Sequence, residues 1–207
     1  MGAPAPVEYR PVNMDAWRHY LRARLYRLLK QPERAIAELR AALGLDPSFA
    51  RAAHALAYLL VGRGDLDRAL PLLEQTAALR PRDAGVWYNL GFAHDHNKNP
   101  ARAIDAFREA VHLSPRFDQA WYGLGRCHAA LGQLDDAIKA LEEAARLQPT
   151  KGHAWYELAL VHHRRHESDR VRDIAEHLNR YDRHAARKLI LDTQRTDLAH
   201  LVSDLRA

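Results

Sequence analysis

The chain predicts an all-α fold: a solenoid of antiparallel helix pairs stacked in tandem. Three observations carry this. Four prolines, Pro47, Pro81, Pro115 and Pro149, stand 34 residues apart. Other columns keep the same register: Ala35, Ala69, Ala103 and Ala137; Leu39, Leu73, Phe107 and Leu141; Trp87, Trp121 and Trp155; and the small residues Ala23, Ala57, Gly91, Gly125 and Ala159. Within a repeat the apolar residues recur at helical spacing, first as Trp87, Leu90 and Ala93, then as Ala103, Ile104, Phe107 and Ala110. A fixed period shared by independent columns marks one repeated unit whose helices cannot bury their apolar stripes alone.

Taken in order, residues 1–15 are rich in proline and poor in large apolar groups, so they read as a flexible segment, with helix starting near Asp15. Five units then follow at 16–49, 50–83, 84–117, 118–151 and 152–185. Turn signals part the two helices of a unit at Gly64-Asp65, Asn99-Pro100, Gly132-Gln133 and Glu167-Ser168. The column prolines stop the second helix, because proline cannot continue the hydrogen-bond ladder. Gly and Ala in the small column let two helix backbones approach closely. In 186–207 the apolar residues, up to Leu191 and then Leu198, Leu201, Val202 and Leu205, read as short amphipathic capping helices that seal the last unit.

The pattern resembles the tetratricopeptide repeat (TPR) family, whose unit opens on Trp-x2-Leu-Gly, places an Ala and an aromatic or Leu in its second helix, and closes on Pro. Trp87-Tyr-Asn-Leu-Gly91 through Pro115 and Trp121-Tyr-Gly-Leu-Gly125 through Pro149 carry the resemblance. The end units depart from it. His19 and Arg22 stand where the family has Trp and Leu; Val171 and Ala175 replace the Ala and the aromatic of the fifth unit, which has no closing Pro. The resemblance implies a right-handed solenoid whose first helices line a concave groove that receives partner segments.

By column, that groove would present Tyr20, Arg24 and Arg27; His54, Tyr58 and Val61; Tyr88, Asn89, Phe92, Asp95 and His96; Tyr122, Arg126 and Ala129; and Tyr156, Glu157, Leu160 and His163. The lining reads as aromatic and cationic with few acids, suited to a protein or peptide carrying carboxylates and apolar side chains. Tyrosine beside the Trp is also common in the family, so these rings equally suit a packing role. The carboxylate clamp of chaperone-tail-binding relatives is missing: Asn89 fits its central asparagine, but His54, Tyr58, Gln119 and Gly123 stand where the other clamp residues would be.

Composition bounds the remaining classes. The chain has 207 residues, 47% of them hydrophobic, and a net charge of +5. Its cations are spread along the chain rather than gathered on one face, which argues against nucleic acid. Only the first helix comes close, with Arg18, Arg22, Arg24, Arg27 and Lys30 around much of its circumference. Arginine outnumbers lysine 26 to 5, as in a GC-rich bacterial genome. The single Cys127 excludes an internal disulfide and reads as an inert thiol in a reducing, cytoplasmic setting. No apolar run is long enough to span a membrane, and the N-terminus lacks the apolar run of a signal peptide. No phosphate loop, nucleophile elbow or zincin motif is present, so no enzyme and no cofactor is expected. His94, His128 and His162 form a further column of period 34, read as half-buried spacers of unassigned role. His162 and His166 share a helix face by spacing but lack a tetrahedral ligand set, so no metal is expected.

The expected function is a non-enzymatic interaction scaffold or adaptor supporting a larger bacterial complex. Two alternatives stand beside it: a regulator sensing a ligand or peptide, and a fixed accessory subunit peripheral to a membrane assembly. Homo-oligomerisation is compatible with either.

Overall fold

The structure, a computed structural model, describes residues 13–202. The proline-rich segment expected at 1–15 lies largely outside them, as does Leu205. Among the described residues are eleven α-helices and one 3-10 helix, with no strand. The chain divides into two compact units, Met1–Pro81 and Arg82–Ala207. The first holds α1 (Met14–Leu28), α2 (Pro32–Leu45), α3 (Ala50–Gly62) and α4 (Leu66–Leu79). The second holds α5 (Ala84–His96), α6 (Pro100–Leu113), α7 (Asp118–Ala130), α8 (Leu134–Leu147), α9 (Gly152–Arg164), α10 (Ser168–Tyr181), α11 (Arg183–Asp192) and the 3-10 helix Thr196–Val202. Helices pair in chain order, α1 with α2 through α9 with α10.

The turn inside each pair explains why the pairs repeat so faithfully. Lys30, Gly64, Lys98, Gly132 and His166 all adopt a left-handed backbone, with φ of 55°, 76°, 55°, 74° and 60°. Each follows the C-cap of a first helix, and the next N–H reaches back five residues: Gln31 to Tyr26, Asp65 to Leu60, Asn99 to His94, Gln133 to His128 and Glu167 to His162. This is the Schellman arrangement, which satisfies carbonyls that the helix end would leave bare. The histidine column, expected half-buried, is buried at His94, His128 and His162, and two of the three share one role. His128 Nδ1 lies 2.6 Å from Gln133 Oε1, and His162 Nδ1 hydrogen-bonds Glu167 Oε2. Each buried imidazole thus holds the side chain of the residue whose backbone N–H already bonds its own carbonyl.

The prolines act one residue later than a simple helix stop. Pro47, Pro81, Pro115 and Pro149 follow the C-caps Asp46, Arg80, Ser114 and Gln148, whose φ values lie between −134° and −142°. A residue before proline is pushed out of the helical region by contact with the proline ring. The proline carbonyl then becomes an anchor for the next unit. Trp121 Nε1 donates to Pro115 O at 3.0 Å, and Trp155 Nε1 donates to Pro149 O at 2.9 Å. Two columns that look independent in the sequence are joined by one hydrogen bond.

The pairs close on the small-residue column. A Cβ built on Gly91 would lie 2.7 Å from Phe107 Cδ1, and one on Gly123 would lie 2.5 Å from Phe107 Cζ. The Phe107 ring of α6 is therefore seated against bare backbone of both α5 and α7, and it is 1% exposed. Gly125 makes the same allowance for Leu141, whose Cγ would lie 2.6 Å from an added Cβ. In the first unit, Ala16 and Ala23 of α1 are buried, as are Ala35, Ile36 and Leu39 of α2. His19, standing in the tryptophan column, lies 2.6 Å from Glu38 Oε2, while Trp17 supplies the ring that packs 5.0 Å from Phe49.

The C-terminal cap departs from the expectation of paired amphipathic helices. Only α11 is α-helical; the last element is a 3-10 helix. Gln194 is left-handed at φ 55°, and Arg195 N–H reaches Ile190 O, so this junction repeats the turn of the five pairs. Gly152, at the start of α9, has no Cβ to meet Asp182 and Ala185, and this lets the start of α11 press against it. Arg195 ties the end down by donating to Ser168 O at 3.0 Å and to both oxygens of Asp197.

Two outcomes follow. Gly123→Ala is expected to cost about 1–3 kcal/mol by overpacking, and Phe107→Leu in the same chain to recover part of that loss. Thermal unfolding of both singles and the double variant checks it; strictly additive losses would mean that the two positions do not meet. The Glu167 carboxyl is held below its ordinary 4.5 chiefly by the His162 hydrogen bond, with Arg165 adding attraction against the cost of partial burial. A depressed carboxyl contributes stability above its unfolded pKa and loses it as pH falls through the folded value. The wild-type melting temperature should therefore fall more steeply than that of Glu167→Gln between about pH 5 and pH 3. Parallel curves would remove Glu167 from the turn's energetics.

Candidate functional site

The residues expected to line a groove fall in both units. In the first, α1 and α3 bring Arg27 and Tyr58 together, the guanidinium lying 5.9 Å from the ring centroid. Tyr58 is largely exposed, and Arg24 is exposed as well. Tyr20 is instead turned into packing, 5.5 Å from Trp17 and 5.2 Å from Phe49 between ring centroids. His54 is half-buried.

In the second unit the first helices α5, α7 and α9 carry the remaining candidates. Tyr88 is half-buried among Phe92, Phe107 and Phe117, with the last ring 4.9 Å away. Phe92 stacks at 3.9 Å on His96, whose Nδ1 is 3.0 Å from the Phe92 carbonyl. Asn89 and Leu160 are half-buried, and His163 is exposed. On α7, Tyr122 is half-buried and Arg126 stands 5.8 Å from its ring centroid. Burial, and then the nearby Glu157 carboxylate, push the Tyr122 hydroxyl above its ordinary range, so it stays a neutral donor.

Two features qualify the expected aromatic and cationic lining with few acids. Arg126 is not an isolated cation, because Asp95 of α5 lies 3.7 Å from it. Tyr156 is not an open ring: its hydroxyl hydrogen-bonds Asp192, and Lys188 Nζ sits 4.4 Å above its face. Both partners come from α11, which packs on α9 and so covers the tyrosine. Asp192 and Lys188 were missed as neighbours because α11 reads in sequence only as a cap; that a cap packing on α9 must meet Tyr156 was the available signal.

Asp95 also reaches Cys127. Burial, followed by the Asp95 charge and a hydrogen bond to it, pushes the thiol up to about 12. The buried cysteine is therefore a protonated, unreactive group. The proposed pairing of His162 with His166 does not form one helix face. α9 ends at Arg164, and His166 occupies the left-handed turn beyond it. Among the described residues no group of three His, Cys, Asp or Glu side chains is placed to hold a metal ion. Among the same residues no helix is long and apolar enough to cross a membrane.

A cavity of about 580 Å³ in the second unit lies away from these candidates, between α8, α9 and α10. Trp155, Leu158 and Ile174 line it together with the charged Arg146, Arg170, Glu142 and Asp173. Trp155 stacks 4.2 Å from His177, and His177 Nε2 lies 2.8 Å from the Pro149 carbonyl that also receives the Trp155 indole.

Family comparison agrees with the repeat geometry. A model of the tetratricopeptide repeat matches residues 54–116, 99–152 and 122–170, and a second matches 18–49. Among solved structures, YrrB, described as a TPR protein with an unusual peptide-binding site, superposes with a TM-score of 0.72 at 22% identity, over 91% of each chain. MamA from Desulfovibrio magneticus RS-1 gives 0.73 at 20% identity, over 90% of this chain and 99% of that one. PilF from Pseudomonas aeruginosa gives 0.70 at 20% identity, over 93% and 94%. No curated protein sequence matches the chain. Matches of the repeat model across most of the sequence, together with the left-handed turn and the Trp–Pro bond recurring at its period, show that the chain belongs to the tetratricopeptide repeat family.

Proposed function

We propose that the protein is a non-catalytic interaction scaffold, and that the α5–α7 face of its second unit receives a partner segment. The observation that carries this is the grouping of Phe92, His96, Tyr122 and Arg126: part-exposed rings beside a cation. Such residues combine a large contact area with a polar handle. The Arg126–Asp95 pair is 3.7 Å apart and exposed on the arginine side. An ion pair of that kind is worth about 0–1 kcal/mol, so a partner carboxylate competes for Arg126 while an apolar neighbour packs on Tyr122. The peptide-binding description of YrrB supports this reading. The arginine-rich composition and single buried thiol support a bacterial protein of a reducing compartment, where it helps assemble a larger complex.

A second reading, a ligand-responsive regulator, rests on the α8–α10 cavity, whose volume lies in the range of small-molecule sites.

One comparison separates them. Co-purification from the native organism with mild detergent should yield a stoichiometric partner. Its affinity should fall roughly tenfold or more in Tyr122→Ala plus Arg126→Ala, with circular dichroism unchanged. A partner equally well held by that variant places the interface elsewhere. Absence of a partner, together with a small molecule that raises the melting temperature of wild type but not of Arg146→Ala plus Arg170→Ala, would favour the regulator.

A further inference from the structure

Helix α1 carries two apolar faces. One presents Ala16 and Ala23, buried in the first unit. The other presents Met14, Leu21, Leu25 and Leu28, which are 66%, 54%, 54% and 79% exposed. At about 100° per residue these four fall within an arc of about 60°, centred opposite Ala23. Leu29, 53% exposed, widens the strip. With Arg18 included, the positions advance in alternating steps of four and three, the repeat of a seam between two packed helices. Among the described residues no side chain covers this strip. An exposed leucine strip of this length is unusual on a protein surface and marks a contact site.

The charges around the strip say what would cover it. The only acid of α1, Asp15, is engaged by Arg18 at 2.7 Å. Arg22 and Arg24 flank the leucines on opposite sides, both exposed, and neither makes an ion pair among the described residues. A second copy meeting this face antiparallel would set Arg22 and Arg24 near their own counterparts at mid-helix, and like charges so placed oppose pairing. An anionic bilayer would suit the arginines, but an interfacial helix buries a broad apolar face, with Trp or Phe beside its Leu, and this arc spans only about 60°. The aromatic side chains Trp17 and Tyr20 are instead packed on Phe49.

We propose that the outer face of α1 docks an amphipathic helix of a partner protein, one with leucine-like residues on its seam and Asp or Glu on both flanks. The site uses no residue of the α5–α7 face and stands whether or not that face binds a segment. A single helix laid on α1, about 22 Å long, buries less than a standard stable interface, so the expected affinity is micromolar.

The probe is a fluorescein-labelled helical peptide about four turns long, with Leu at alternating four- and three-residue steps and Glu on both flanks. A second peptide carries Lys on the flanks. Anisotropy titration with the full chain should show micromolar binding of the Glu peptide and roughly tenfold weaker binding of the Lys peptide. Leu21→Ser plus Leu25→Ser, both at exposed positions, should weaken the Glu peptide roughly tenfold without changing the circular dichroism. Arg22→Glu plus Arg24→Glu should reverse the preference, a charge exchange that a misfolded variant cannot produce. Four outcomes overturn the proposal: equal binding of the two peptides; binding insensitive to the leucines; co-sedimentation with phosphatidylglycerol vesicles in place of peptide binding; or a leucine-dependent dimer by sedimentation. Peptide binding that appears only when residues 1–12 are removed would assign the strip to the chain's own segment and overturn it equally.

Discussion

A large side chain on one helix needs missing volume on the next, and the helix pairs rest on that condition. Phe107 lies against Gly91 and Gly123, and Leu141 lies against Gly125, at separations no Cβ would tolerate. Seating a ring on bare backbone sets the relative height of the two helices to within a fraction of a turn. The turn between them must then deliver the second helix at that height every time. A left-handed residue at the same place in all five turns does so, and its five-residue return bond ends the first helix at a fixed carbonyl. The Trp–Pro bonds carry the register onward, because the indole of one unit reads where the preceding helix stopped.

This dependence explains what could be read from the sequence. Period, helix boundaries and turn positions were legible because each is a local requirement repeated at one spacing. The small-residue column was legible for the same reason, as was the burial of Cys127 beside Gly125. Gly123 was not. It lies outside that column, and its need arises from a ring on the preceding helix, a pairing visible only once α6 and α7 are placed side by side. The histidine column could be seen but not interpreted, since its partners at Gln133 and Glu167 are five residues away and become neighbours only through the left-handed turn.

The candidate site was legible in its residues and not in its state. Column position identifies Tyr122, Arg126 and Tyr156 as surface-facing members of first helices. It says nothing of Asp95 beside Arg126, or of Asp192 and Lys188 closing over Tyr156. These contacts join elements with no common register, so no periodic argument reaches them. Their consequence is chemical. On the α5–α7 face Arg126 is paired with Asp95, so a partner carboxylate docking there would have to compete with that weak exposed pair, while Tyr156 on α9 is already engaged by Asp192 and Lys188.

The same logic separates α1 from the other first helices. In α5, α7 and α9 the large apolar residues are buried or half-buried. In α1 the residues turned inward are alanines, and its leucines face away. A helix stabilised only through its own unit has no need of that second face, since exposed leucine gains nothing from water. Helix propensity does not account for it either: glutamate, lysine or glutamine would sustain the helix about as well at the same positions. What distinguishes leucine there is the apolar area it offers to a surface brought from outside. Arginines on both sides of the strip further restrict which surface can approach, and they disfavour the simplest candidate, another α1.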